Sequence, residues 1–172
     1  MVIANLYNII CWHHHKTKYF LVWYLLWNNQ VGNVIGGAIT FSAATSGTVT
    51  GIVSSGNPAA SAAVSIQNND IRGIVHTIGG TGTHTYISMT GATAAGIVAT
   101  IAGNTFTNMN VNTTGTTTFI SQNYNASSTS IKNTNNNAIV TAYVRSGAGG
   151  TVTLILDNAS SVTGSVSNCQ NN

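Results

Sequence analysis

Asp70 and Asp157 are the chain's only carboxylate side chains, so chemistry that needs a carboxylate pair must use these two. Glycoside hydrolysis is such a chemistry, with two carboxyl groups about 5–10 Å apart across the scissile bond. Asp70 follows an Asn-rich turn and Asp157 follows a Thr-rich strand, which places them in different phases of a repeating chain. Asp70, Arg72 and His76 form a local ionisable group. It has neither nucleophile nor metal partner, and it reads as a surface ion pair beside an exposed histidine, worth at most about 1 kcal/mol. His13, His14 and His15 are the tempting metal ligands. Adjacent strand residues point to opposite faces, so three in a row converge poorly on one ion. His84 stands where related stretches carry Val49, Thr117 and Val152, and reads as a variable strand residue. Cys11 and Cys169 sit near opposite ends. A bridge, which needs a Cα separation of about 4.4–6.8 Å, would require the N-terminal segment to fold back. No catalytic residue, metal or cofactor is expected. Tyr86 and Phe119 are the remaining candidates, for carbohydrate binding. They fall in one column, continued by Leu154. Facing out, the rings would stack on sugars; facing in, they would pack the core.

These residues belong to a chain in which only 4% of positions are charged, so its polar surface must come from Thr, Ser, Asn and Gly. Those types favour strands and turns over helices. From residue 28 onward Arg72, Lys132 and Arg145 face two acids and form no basic patch, which speaks against nucleic acid as a partner. Residues 1–27 differ from the rest and contain Trp12, Trp23 and Trp27. Their apolar run, Tyr19 to Trp27, is shorter than the roughly 20 residues a bilayer span needs. Three readings stand for this segment: a start site assigned too early, a signal or anchor segment, and a folded end cap.

A repeat organises the remainder. Thr116-Thr-Thr-Phe-Ile-Ser121 is matched by Thr83-His-Thr-Tyr-Ile-Ser88, by Thr151-Val-Thr-Leu-Ile-Leu156 and, more weakly, by Thr48-Val-Thr-Gly-Ile-Val53. The intervals are 35, 33 and 35 residues, a period that marks stacked repeats. A second landmark keeps nearly the same period: Asn29, Asn69, Asn104 and Asn137, each followed two positions on by Val31, Ile71, Phe106 or Ile139. One unit therefore reads as strand, Asn turn, strand, loop, Thr-x-Thr strand and loop. Such units predict an all-β, right-handed parallel β-helix of about four rungs over residues 28–165, with a polar, frayed tail over 166–172. Neighbouring rungs would lie about 4.8 Å apart. The Asn column would form an amide ladder, since each amide both donates and accepts. Ile52, Ile87, Ile120 and Ile155 would point inward. By strand parity the two Thr of each copy then point inward too, unless the strand bends between them.

The phrases Ile66-Gln-Asn-Asn-Asp-Ile71 and Ile101-Ala-Gly-Asn-Thr-Phe106 resemble repeats of right-handed parallel β-helix proteins. The wider Thr/Asn/Gly-rich texture is similar to large secreted, adhesin-like β-strand repeat proteins of bacteria. The resemblance covers about residues 28–165 and implies an extracellular or cell-surface location. It also implies a non-catalytic structural or adhesion module, a piece of a longer surface protein, that packs end to end with further repeats. The same resemblance extends to pectate-lyase-like polysaccharide enzymes, but their acidic or metal-binding clusters have no counterpart here. Alternatives are a carbohydrate-binding solenoid that contacts a cell-surface or matrix polysaccharide, an ice-binding solenoid with stacked Thr-x-Thr, and a polysaccharide-active enzyme. No membrane span is expected in the repeat domain.

Overall fold

The computed structural model describes residues 21–24, 30–31, 34–92, 94–157 and 162–172, with side chains from Ile39 onward. The expectations for residues 1–20 and 25–29, including His13 to His15, Cys11 and Asn29, lie outside the described residues.

The described chain is all β and winds through three parallel sheets in about four turns. The first turn comprises β1 (Leu21–Tyr24), β2 (Gln30–Val31) and β3 (Val34–Phe41), and the second β4 (Val49–Ser54), β5 (Ala63–Gln67) and β6 (Asp70–His76). The third comprises β7 (His84–Met89), β8 (Val98–Ala102), β9 (Thr105–Thr107) and β10 (Asn110–Val111). The fourth comprises β11 (Thr117–Gln122), β12 (Ile131–Asn135), β13 (Ala138–Ile139) and β14 (Val144–Arg145), and β15 (Val152–Asp157) and β16 (Val166–Gln170) follow. The first sheet runs β1-β4-β7-β11-β15 and the second β2-β5-β8-β12-β16; the third stacks β3, β6, the β9/β10 pair and the β13/β14 pair. All the pairings are parallel.

The Thr-x-Thr copies stack in the register their sequences predict: Val49, His84, Thr117 and Val152 are successive partners. The Asn column also forms. Asn69 donates from its backbone N and from Nδ2 to Oδ1 of Asn104, at 3.0 and 2.9 Å. Asn104 donates likewise to Asn137, and Asn137 to Asn172. Each amide is placed by a left-handed residue just before it: Asn68, Gly103, Asn136 and Asn171 all have φ between 53° and 64°. Asn and Gly tolerate that conformation, because a short polar side chain or a missing Cβ relieves the clash.

Two details of register differ from expectation. Val31 pairs with Gln67, and the column through Ile71, Phe106 and Ile139 begins at Ile35. The 40-residue interval from Asn29 to Asn69, longer than the others, is the trace of that offset. Residues 166–172 do not fray: β16 completes the second sheet and Asn172 ends the amide ladder. At the other end, β1 lies within the segment set apart at 1–27 and pairs with β4.

The strands of the first sheet also bend at a common position. In β4 and β7 inward and outward residues alternate until Gly51 and Ile52 or Tyr86 and Ile87, where two consecutive residues are buried, whereas β11 is buried along its whole length. Pairing skips Gly51, Tyr86, Phe119 and Leu154. A side chain on Gly51 would meet the Tyr86 carbonyl oxygen at 2.2 Å, so this crowded place in the column takes glycine. From the second turn on, connections from first to second sheet are eight residues long (55–62, 90–97, 123–130), and those from second to third are two (68–69, 103–104, 136–137). The return to the first sheet varies: 42–48, 77–83, 112–116 and 146–151.

Replacing Asn104 by alanine strands the donors of Asn69 and the carbonyl of Ile66, which also accepts from Asn104 Nδ2. Asn104→Ala is expected to lower stability by about 2–4 kcal/mol, and Asn172→Ala, at the ladder's end, by about 1 kcal/mol. Urea unfolding at constant slope measures both.

Candidate functional site

Tyr86 and Phe119 do come together, but inside. Both are 0% exposed, with ring centres 5.3 Å apart, and they join Phe106 and Tyr143 in a chain of edge-to-face contacts. The bend turns their column inward, so neither ring presents a face to a sugar. Leu154, the next member of the column, is 46% exposed because no turn covers it.

The same bend frees the threonines. Thr48, Thr83, Thr116 and Thr151 lie on the solvent side in one column, linked through cross-turn backbone bonds at their carbonyls. Thr50, Thr85, Thr118 and Thr153 form a second column beside it, half-buried at Thr50, Thr85 and Thr153 and buried at Thr118. The side-chain hydroxyls of Thr48 and Thr83 are 3.1 Å apart and hydrogen-bonded. Parity predicts inward threonines only for a strand that alternates throughout, and these do not.

The two carboxylates are placed apart and are both engaged. Asp70, in the third sheet, pairs with Arg72 and accepts a bond from Thr107 Oγ1 at 3.0 Å. Asp157, in the first, pairs with Lys132 Nζ at 3.0 Å. Lys132 occupies an inward position of β12 and is buried. Its ammonium also donates to the carbonyls of Gln122 and Tyr124, at 3.1 and 2.8 Å, and lies 4.1 Å from the Tyr124 ring centre. A buried cation persists only when paired and hydrogen-bonded, and this one is both.

His76 differs from expectation. It is buried at 4% exposure rather than set beside the Asp70–Arg72 pair in solvent. It ends β6, and His84, 1% exposed, begins β7, so the two rings meet across one corner of the solenoid with centres 5.0 Å apart. Phe41 stacks on His76 at 4.4 Å. Tyr86 Oη lies 3.5 Å from His84 Nδ1. Burial holds both imidazoles below their ordinary pKa; for His84, with smaller pushes from His76 and Arg145, the value falls to about 3. The sequence signal for this pair was faint: two histidines eight residues apart, flanking a glycine-bearing loop. Among the described residues no group of three or more His, Cys, Asp or Glu side chains assembles to hold a metal. No helix there is long and apolar enough to cross a membrane.

The buried pair makes folding acid-sensitive. Its folded pKa values lie below the unfolded value, so the unfolded chain takes up protons first as pH falls. For His84 the stability held above pH about 6.5 is lost on the way down towards pH about 3, by at most about 1.4 kcal/mol per unit, and His76 adds to the loss in the same direction. His84→Val, which copies the column neighbours Val49 and Val152, is expected to flatten that dependence in pH-resolved unfolding curves recorded in metal-free buffer. Comparison of the chain with protein-family models, with curated proteins and with solved structures yields no match.

Proposed function

We propose that the chain is a non-catalytic structural module of a secreted or surface-exposed repeat protein, whose function is to extend a stack and present a regular polar face. The observation that carries this reading is the state of the interior columns at the last turn. Val152, Leu154 and Ile139 are 44%, 46% and 38% exposed, whereas Thr117, Phe119 and Phe106, which hold the same places one turn earlier, are buried. The difference lies in coverage alone: a further turn of like construction would bury all three. It would also pair the free edges of β15 and β16 and continue the amide ladder from Asn172. The occupant this face fits is therefore another solenoid turn with apolar and Asn columns in register, the heterologous contact that builds linear arrays. The adhesin-like reading rests on this build together with a surface of Thr, Ser and Asn.

A second reading, ice binding, gains from the bend in the first sheet. An exposed Thr column and the half-buried one beside it, in which Thr118 is buried, repeat at the strand-pairing distance of about 4.8 Å in one direction and at two residues, about 6.8 Å, in the other. The array carries methyl and hydroxyl groups and no charge, which suits an ordered water lattice.

Sedimentation velocity over a range of concentrations tests the stacking role. Association that strengthens with concentration, and is abolished in the Val152→Lys, Leu154→Lys double variant, is the expected result; a monomer at every concentration would remove the support drawn from this face. Ice-recrystallisation assays test the second reading. Inhibition lost in Thr83→Lys, Thr116→Lys would favour ice binding, and inactivity of the folded parent would dismiss it.

A further inference from the structure

The two ends of the described solenoid complement each other column by column. Among the described residues β1 and β2 are the first edges of the first and second sheets, and β15 and β16 are their last edges. Each such edge is a row of backbone donors and acceptors that a further parallel strand can pair. On the last turn the exposed Val152 and Ile139 and the half-buried Ile155 end three columns. Followed back through the register, those columns begin with Leu21, Ile35 and Trp23, also apolar. The second sheet differs in kind. Its column holds Ile66 and Ile101 in the middle turns, changes to Thr134 and then Cys169, and begins with Gln30. Apolar column ends thus answer apolar beginnings, and the column that turns polar late begins polar. The amide ladder also has a direction, since each asparagine donates to the turn after it. Asn104 Nδ2 divides its bonds between the Ile66 carbonyl and the next amide. Asn172 Nδ2 makes the inward bond, to the Thr134 carbonyl at 2.7 Å, but its other contact is the weak acceptor Cys169 Sγ at 3.4 Å. Between β2 and β3 the chain carries Gly32-Asn33, the same pair as Gly103-Asn104 between β8 and β9. A second copy therefore brings the residue type that the last amide bond lacks.

We propose, resting on the stacking role given above, that the partner at the last turn is the first turn of a second copy of this chain, so that copies add head to tail. β1 of the second copy would pair with β15, and its β2 with β16, in the same parallel register that joins turns within one copy. Leu21 would then hold the place after Val152, Trp23 the place after Ile155, and Gln30 the place after Cys169. A two-fold contact between two last turns fits less well. It would set the donor ends of two amide ladders against each other, turn parallel pairing into antiparallel, and leave the edges of β1 and β2 uncovered. A head-to-tail contact is heterologous and repeats at every junction, so it gives a filament that grows in one direction, whereas a two-fold contact stops at a dimer.

The test uses the full chain with Cys11 and Cys169 replaced by serine, and two forms of it, Val31→Cys and Gln170→Cys. Val31 begins the column that runs through Gln67, Ala102 and Asn135 and that Gln170 ends. Across the proposed junction these positions are strand neighbours about 4.8 Å apart, inside the Cα separation of about 4.4–6.8 Å that a disulfide spans. Both forms are first checked for an unchanged β-sheet circular dichroism spectrum. Mixed and oxidised, they are expected to yield the disulfide between position 31 of one copy and position 170 of another in at least tenfold excess over either like pair. A form with both substitutions is expected to give a ladder of covalent oligomers. Sedimentation velocity on the same folded forms without oxidant separates the failures. Association in which Gln170→Cys copies join each other, or in which no disulfide forms in the mixture, would overturn the head-to-tail partner and leave the stacking role standing. Monomers at every concentration would overturn both.

Discussion

The fold depends on the side-chain amide that each turn passes to the next. An asparagine at the second corner makes four bonds at once: it accepts from the preceding turn's backbone and side chain, and donates to a carbonyl inside and to the following amide. Such bonds add only about 1 kcal/mol each, yet leaving one unmade in the interior costs more. The ladder therefore acts chiefly on register. A slip of one residue would strand amides in every turn, and would also move each apolar column to the wrong face. With so few charges available, register cannot be set by ion pairs, and the amides and isoleucines set it together.

This repeat regularity is also why much of the architecture is legible in the sequence. The Thr-x-Thr copies announce the first sheet and its register, because the same residue types recur at the same phase. The Asn landmark locates the second corner through Asn69, Asn104 and Asn137. Where two similar phrases compete, the sequence misleads: Asn28-Asn29 imitates the corner motif and points to a first turn four residues ahead of the one that Ile35 begins. Asn171-Asn172 carries the motif too but looks like polar tail. A further left-handed column, Ser61, Gly96, Thr129 and Gly164, leaves no sequence trace, because Ser and Thr seldom adopt that conformation.

Side-chain orientation was harder to read than register, and orientation decides the site. The parity argument holds for the second sheet, where β8 and β12 alternate cleanly between buried and partly exposed positions. It fails in the first, because two successive inward residues sit at the bend. That one irregularity withdraws Tyr86 and Phe119 from the surface and brings the threonines to it. His76 and Lys132 mislead differently: composition says that charged or ionisable residues belong outside, but column position places them inside, where Lys132 finds acceptors and His76 does not.

The unequal returns from the third sheet to the first have a consequence for how such a chain can change. From the second turn on, two corners keep a constant length and are locked by left-handed residues, so an insertion there would shift a whole column. The third corner already accommodates loops of five, six and seven residues without disturbing the strands on either side. Added sequence can accumulate at that edge alone, as a fringe along one ridge of the prism, while the other two ridges stay invariant. Diversity in a lineage of these modules would then be confined to a single line parallel to the solenoid axis.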